Sequence, residues 1–307
     1  MRVVVTGGAG FIGGNLCRAL LEDGHEVVAY DDLSTGRKSN LAGLSLDFVE
    51  SSLLDQDVLG DAVAGADAVV HLAARGSVPR SLLHPVETHA VNATGTVNVL
   101  QAARQADVGH VIFSSSSSVY GANEVLPKHE DLTIAPVSPY AASKAAGEAA
   151  AVAYQHSFGL PVLVFRFFNV FGPLQPADHD YAAVIPRFLA AALSSRPAEI
   201  HGDGCQSRDF TYVGTVVRVI LDALTRRVTS AGPVNLAFGS RTDLLGVLDI
   251  MQELLGRPIE RHHVDPRPGD VRHSQADASR LLSMFPDVEP VPLRDGLEAT
   301  LAWFQSL

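Results

Sequence analysis

The stretch TGGAGFIGG, Thr6 to Gly14, limits the possible fold more than any other part of the chain. It follows the β-branched run Val3–Val4–Val5 directly and opens an apolar helical stretch near Ile12–Asp23, so its glycines occupy a strand-to-helix turn. Gly7, Gly10 and Gly13 have the spacing G-x-x-G-x-x-G, a variant of the dinucleotide fingerprint. Glycine is needed there because the turn is tight, the backbone must approach a pyrophosphate, and the helix must pack closely on the strand. The helix start then offers free N–H groups and the positive end of its dipole to an anion. Eighteen residues after Gly13 the second apolar run ends in Asp31–Asp32. A carboxylate there accepts hydrogen bonds from a ribose 2′-hydroxyl and repels a 2′-phosphate, so NAD is expected over NADP, with Arg37 and Lys38 as the opposing signal.

From this turn onward, short apolar runs alternate with helical stretches: HEVVAYDD, LDFVES, DAVVHLAA, a helix near Val86–Gln105, HVIFSSS, a helix at Pro139–Phe158 and LPVLVFRFFNVFG. That order predicts an α/β fold, a doubly wound parallel sheet of the Rossmann kind with helices on both faces. Beyond it, segments rich in Pro, Gly and Asp separate short helices such as Ile185–Ser194 and Leu244–Leu255, predicting a smaller α/β substrate-binding lobe. The expected division is a dinucleotide domain over 1–165 with a return segment at 209–240, and a lobe formed by 166–208 and 241–307.

Composition excludes several classes of function. With 47% hydrophobic and 19% charged residues, the 307-residue chain is globular. No run of 18 apolar residues and no leader pattern is found, so a cytoplasmic protein with no membrane partner is expected. The net charge of −11 argues against nucleic acid, whose phosphates are met by basic residues. Cys17 and Cys205 stand alone, and twelve histidines show no ligand spacing, so neither a disulfide framework nor a metal site is expected.

SPYAASKAAGE places Tyr140 and Lys144 four apart on one helix face. A phenol ionises near pH 10 in water, so it serves as a base only beside a cation such as Lys144 or an oxidised nicotinamide. Together with TGGAGFIGG, DDLSTGR, HLAA, VNATGTVNVLQAAR, SSSSSVYG, RFFNVFGP, GDGCQSRDF and RPGD, this pair makes the chain resemble the extended short-chain dehydrogenase/reductases, in their nucleotide-sugar epimerase/dehydratase branch.

The resemblance implies a catalytic Ser116, Tyr140 and Lys144, with Ser116 placed by its distance before Tyr120. It implies an NAD site along Gly7, Gly10, Phe11, Ile12, Gly13, Asp31, Asp32, Ser34, Thr35, Gly36, Ser52, Leu53, Leu72, Ala73, Ala74, Asn92, Ser114, Tyr140, Lys144 and Phe167. Ser52 stands where an Asp near the adenine is common in the family. For a UDP-sugar it implies Ser116, Tyr140, Asn169, Arg208, Arg267, Asp270 and Ser274; arginine's planar fork suits phosphate oxygens. The implied reaction is 4-epimerisation through a 4-keto sugar, with a homodimer paired through the helices near Val86–Gln105 and Pro139–Phe158.

Departures within the branch narrow the chemistry. The dehydratases carry an Asp-Glu pair after the catalytic Ser or Thr, but here Ser117 and Ser118 stand there and cannot act as acid and base. The loop RGSVPRS lacks the glutamate of the uronate decarboxylases, and Asn169 with GPLQP differs from the glucuronate epimerases. The expected pair is UDP-glucose and UDP-galactose, with room for an N-acetylhexosamine because Ser274 replaces a bulky Tyr of some glucose-only enzymes. The alternatives are an epimerase of UDP-GlcNAc or UDP-glucuronate, a reductase that releases NADH, or a protein that senses NAD without turnover.

Overall fold

The computed structural model of the chain describes residues 1–178, 182–266 and 272–307. These fall into two compact units. The first comprises Met1–Asn123, Glu130–Phe167 and Val217–Asn235; the second comprises Glu124–His129, Phe168–Val216 and Leu236–Leu307.

The first unit is built on a parallel sheet. In chain order come β1 (Arg2–Thr6), α1 (Phe11–Glu22), β2 (Glu26–Asp31), β3 (Asp47–Glu50), α2 (Gln56–Val63), β4 (Ala68–His71), α3 (Val78–Leu83), α4 (Pro85–His89), α5 (Gly95–Gln105), β5 (Val111–Ser116), α6 (Pro139–Phe158) and β6 (Val162–Phe167). The strand order is β11-β6-β5-β4-β1-β2-β3, where β11 is Val234–Leu236. The order reverses beside β1, and open α/β sheets bind ligands at the carboxyl ends of the strands flanking such a point. Continuous apolar strands follow from burial on both faces: Val4, Val28, Val69, Phe113 and Val162 pack with Leu100 and Ala103 of α5 and Ala151 of α6.

Local signals account for the helix that matters most. Ser138 caps α6 by accepting from the Ala141 N–H at 3.1 Å, Pro139 occupies the first turn, and Gly159 ends the helix in the left-handed conformation. Among the described residues no helix is long and apolar enough to cross a membrane.

The second unit holds β7 (Asn169–Phe171), α7 (Val184–Leu193), β8 (Ala198–His201), β9 (Ser207–Arg208), β10 (Phe210–Tyr212), the start of α8 (Val213–Arg226), β12 (Thr242–Asp243), α9 (Leu244–Leu255), β13 (Arg261–Val264), α10 (Ser279–Met284) and α11 (Leu293–Gln305). Its short strands pair two by two, and its core gathers Phe171, Phe188, Ile200, Leu248, Met251 and Leu297.

Two expectations need correction. Val86–Gln105 is not one uninterrupted α-helix: a π-helical turn at Ala90–Thr94 lies between α4 and α5. LPVLVFRFFNVFG is not one strand either, because β6 ends at Phe167 and β7 pairs instead with β10, Asn169 opposite Phe210. An apolar run shows burial, but it does not show where the chain leaves one sheet for another.

Candidate active site

The glycine turn leaves no space for side chains. A Cβ on Gly13 would stand 2.0 Å from the Gly7 carbonyl oxygen, and one on Gly7, whose φ is +71°, would stand 2.7 Å from the Ala73 nitrogen. Gly10 caps α1 without any side-chain hydrogen bond, so no side-chain cap occupies the first-turn N–H groups of Phe11, Ile12 and Gly13. At the end of β2, Asp31 is buried; its Oδ2 accepts from the Ala9 N–H at 3.0 Å and its Oδ1 from the Leu33 N–H at 2.8 Å. Burial pushes this carboxyl above the usual range, and the two backbone bonds oppose that. Gly36 closes against it, since a Cβ there would meet Oδ1 at 2.6 Å. Asp32, Ser34 and Thr35 are exposed, and Asp32 accepts from the Ser34 N–H at 2.9 Å. A turn with no room for a Cβ, an uncapped helix start and a buried carboxylate one strand away fit a dinucleotide such as NAD.

The next wall is a buried hydrogen-bond chain. The Thr96 hydroxyl donates to the Asn92 carbonyl at 2.5 Å and so accepts from His71 Nε2 at 3.0 Å. His71 Nδ1 then accepts from the Thr6 hydroxyl at 2.6 Å, and that oxygen accepts the Ala73 N–H at 3.3 Å. Burial, with the charge of Lys144 second, takes His71 down to about 3, so the ring is neutral. The π-turn places the Asn92 side chain between two elements: Oδ1 accepts from the Arg75 N–H at 2.7 Å, and Nδ2 donates to Ser143 Oγ at 3.0 Å. Leu72 and Ala73 lie against this chain, Leu72 donating from its N–H to the Thr6 carbonyl. Ser52 and Leu53 are held by Leu54 N–H to Ser52 Oγ and by Asn98 Nδ2 to the Leu53 carbonyl.

β5 and α6 bring the catalytic candidates together. Ser116 ends β5, buried, and faces Phe167 in the β5–β6 register. Tyr140, half-buried in the first turn of α6, lies near Ser116; burial raises its hydroxyl and the Ser116 side chain opposes the rise. One helical turn on, Lys144 is buried, donates from Nζ to the Ser114 carbonyl at 2.7 Å and lies over the Phe113 ring at 5.2 Å. Burial lowers its ammonium to about 8, with Glu148 pulling the other way. A buried cation one helical turn from a phenol, with a serine side chain nearby, can stabilise the phenolate that proton abstraction requires.

Sequence reasoning passed over the buried charged pair behind this group. Glu148, one turn beyond Lys144, receives Arg166 Nε and Nη2 at 2.8 Å each and the Ser115 hydroxyl at 2.5 Å. Its signal was available: Arg166 interrupts the apolar run LVFRFF, and Glu148 stands at i+4 from Lys144 in an alanine-rich helix.

In the second unit, Asn169 donates from its N–H to the Asp209 carbonyl at 3.2 Å, and Arg208 Nη1 donates to the carbonyls of Ser207 and Arg272 at 2.9 and 3.2 Å. Ser274 is half-buried, its N–H on the Ser207 carbonyl at 3.0 Å. Asp209, which sequence reasoning also missed, is fully buried and pins two loops by accepting from Gly239 N–H and the Ser240 hydroxyl in one and Ala276 N–H in the other at 2.9–3.1 Å. Arg267 and Asp270 lie outside the described residues.

A doubly wound sheet with a glycine-lined turn opening its first helix defines a nucleotide-binding class of protein. The model of the NAD dependent epimerase/dehydratase family matches residues 3–237, and the chain belongs to that family. It is 38% identical to the UDP-glucose 4-epimerase of Mycolicibacterium smegmatis, over all of this chain and 99% of that one. Among solved structures it is similar to a UDP-N-acetylglucosamine 4-epimerase from Methanobrevibacter ruminantium in complex with UDP-N-acetylmuramic acid, with TM-score 0.94, 37% identity and 99% and 98% of the two chains covered. A UDP-glucose 4-epimerase from Thermotoga maritima with UDP-glucose gives TM-score 0.94 at 33% identity, covering 100% and 99%.

Proposed function

We propose that this chain interconverts UDP-glucose and UDP-galactose by inverting carbon 4. The observation that carries the reading is the half-buried Tyr140 near Ser116, with the buried Lys144 one turn further along α6. Tyr140 as phenolate takes the proton of the sugar 4-hydroxyl, Ser116 hydrogen-bonds the same oxygen, and Lys144 holds the phenolate charge. NAD, when bound, supplies the acceptor and donor of the C4 hydride. Tyr140 then returns its proton to the 4-oxygen once the keto sugar presents its other face, so no reducing equivalent is consumed.

In the second unit, Arg208 and Asn169 are the described residues assigned to the nucleotide diphosphate and sugar. A second reading has one observation in its favour: the half-buried residue 274 is a small serine, which would suit a 2-acetamido group, in keeping with the similarity to a UDP-N-acetylglucosamine 4-epimerase. Incubating the protein with UDP-glucose, UDP-galactose, their N-acetylamino counterparts and UDP-glucuronate, then separating the products, tests both. Interconversion of the glucose pair is expected, with turnover of the acetylated pair as well; conversion of the glucuronate alone would overturn the assignment.

The working unit is proposed to be a homodimer. Leu82, Leu83 and Val86 are 62–81% exposed on α3 and α4, and Ala142, Ala146, Ala149 and Ala153 form an exposed small-residue stripe on α6. Covering such a face by a second copy removes apolar surface from water. Sedimentation at micromolar concentration should give twice the chain mass, and a monomer there would exclude the proposal.

A further inference from the structure

Three charged side chains are buried together where α6 covers β5 and β6. Lys144, Glu148 and Arg166 are each only 4–5% exposed. Two cations therefore share one carboxylate. Buried charges are tolerated when paired and fully hydrogen-bonded, and Glu148 meets that condition: both oxygens receive Arg166, and Oε1 also receives the Ser115 hydroxyl. Ser115 and Arg166 are partners in the β5–β6 register, so both rise from the sheet on one face beneath α6. Arg166 is fixed in turn, its guanidinium over the Tyr120 ring at 4.8 Å and its Nη1 on the Glu130 carbonyl at 3.4 Å. Tyr120 donates its hydroxyl to Asn235 Oδ1 at 2.6 Å. Glu148 is thereby held rigidly at i+4 from Lys144.

Lys144 lacks a carboxylate of its own. Its ammonium donates to the neutral Ser114 carbonyl and faces the Phe113 ring. The titratable or charged groups around it are His71 from β4, which is neutral, Tyr140 and Glu148 on α6, and Arg166 from β6 behind Glu148. Glu148 is thus the anion of the group.

We propose that Glu148, clamped by Arg166 and Ser115, is a positioning residue that keeps the buried Lys144 charged and so sets the pH range over which Tyr140 can act as base. Buried, with both oxygens taken by Arg166 and Ser115, it acts through Lys144. The inference rests on the catalytic reading above. The direction of its effect follows from electrostatics. Without the carboxylate, burial disfavours the ammonium further, so Lys144 loses its proton at lower pH. A neutral Lys144 no longer stabilises the phenolate charge, so activity is lost at lower pH on the alkaline side. The bell-shaped rate profile then narrows from its alkaline side, while the acidic limb, where Lys144 is still charged, does not move inward.

The test measures kcat against pH for the NAD-loaded wild type, Glu148→Gln and the double variant Glu148→Gln/Arg166→Met. The double variant removes the unpaired guanidinium that the single change would strand in the interior. Both variants should show the alkaline limb moved inward by about one pH unit and a kcat near pH 7.5 reduced about three-fold, with KM little changed. A purely structural role would lower thermal stability or NAD occupancy while leaving the limbs in place, and that result overturns the proposal. Failure of both variants to fold with NAD bound would make the cluster a part of the scaffold, which overturns it equally. Absence of sugar turnover in the wild type would instead refute the catalytic reading on which the proposal rests.

Discussion

Tyr140→Phe is expected to lower kcat about 10³-fold while leaving the fold and the bound NAD in place, the scale of a lost general acid–base group. The substitution removes one hydroxyl and keeps the ring that fills the first turn of α6. Among the described residues the hydroxyl has only the Ser116 side chain as a polar neighbour in the free protein, so folding stability should change by no more than about 1 kcal/mol. KM should change little, because the phenolate acts on the 4-hydroxyl as its proton leaves, an interaction concentrated in the transition state. The residual rate should not recover with added NAD. Turnover of UDP-galactose and thermal unfolding, measured on one preparation, separate the two effects. A near wild-type rate in this variant would remove Tyr140 from the mechanism and favour a protein that holds NAD without Tyr140-dependent chemistry.

What could be read from the chain follows the range of the interactions involved. α6 spans Pro139–Phe158 as expected because its start and stop are set locally, by Ser138 and Pro139 at one end and Gly159 at the other. The parallel sheet is legible because strands buried on both faces leave continuous apolar runs between helices of matching length. The π-turn at Ala90–Thr94 left no mark, since apolar spacing cannot distinguish a widened turn from an ordinary one. What it places is legible only in three dimensions: Asn92 reaches Arg75 across 17 residues of chain and Ser143 across 51. The Glu148–Arg166 pair was overlooked for a related reason. A charge within a strand reads as an isolated exception until the facing helix supplies its partner. Asp209 is the same case in the second unit, a buried carboxylate satisfied wholly by loop donors distant in sequence.

Gly13→Ala should lower both stability and cofactor retention by a large margin. The new Cβ would lie 2.0 Å from the Gly7 carbonyl oxygen and 2.8 Å from the Gly8 Cα, and both are backbone atoms that no rotamer change can move aside. Relief requires α1 to shift away from the end of β1, and that shift pulls the first-turn N–H groups out of line with a pyrophosphate. The expected cost is about 3 kcal/mol, the upper end for overpacking, with most bound NAD lost on purification. Gly60→Ala supplies the opposite sign. Gly60 lies within α2 with no atom within 4 Å of an added Cβ, so alanine there only gains helix propensity and should stabilise by about 0.5–1 kcal/mol. Calorimetry on both variants, with NAD quantified after acid release, tests the pair. If Gly13→Ala retained full NAD at wild-type stability, the close approach of α1 to the glycine turn would not be what holds the cofactor.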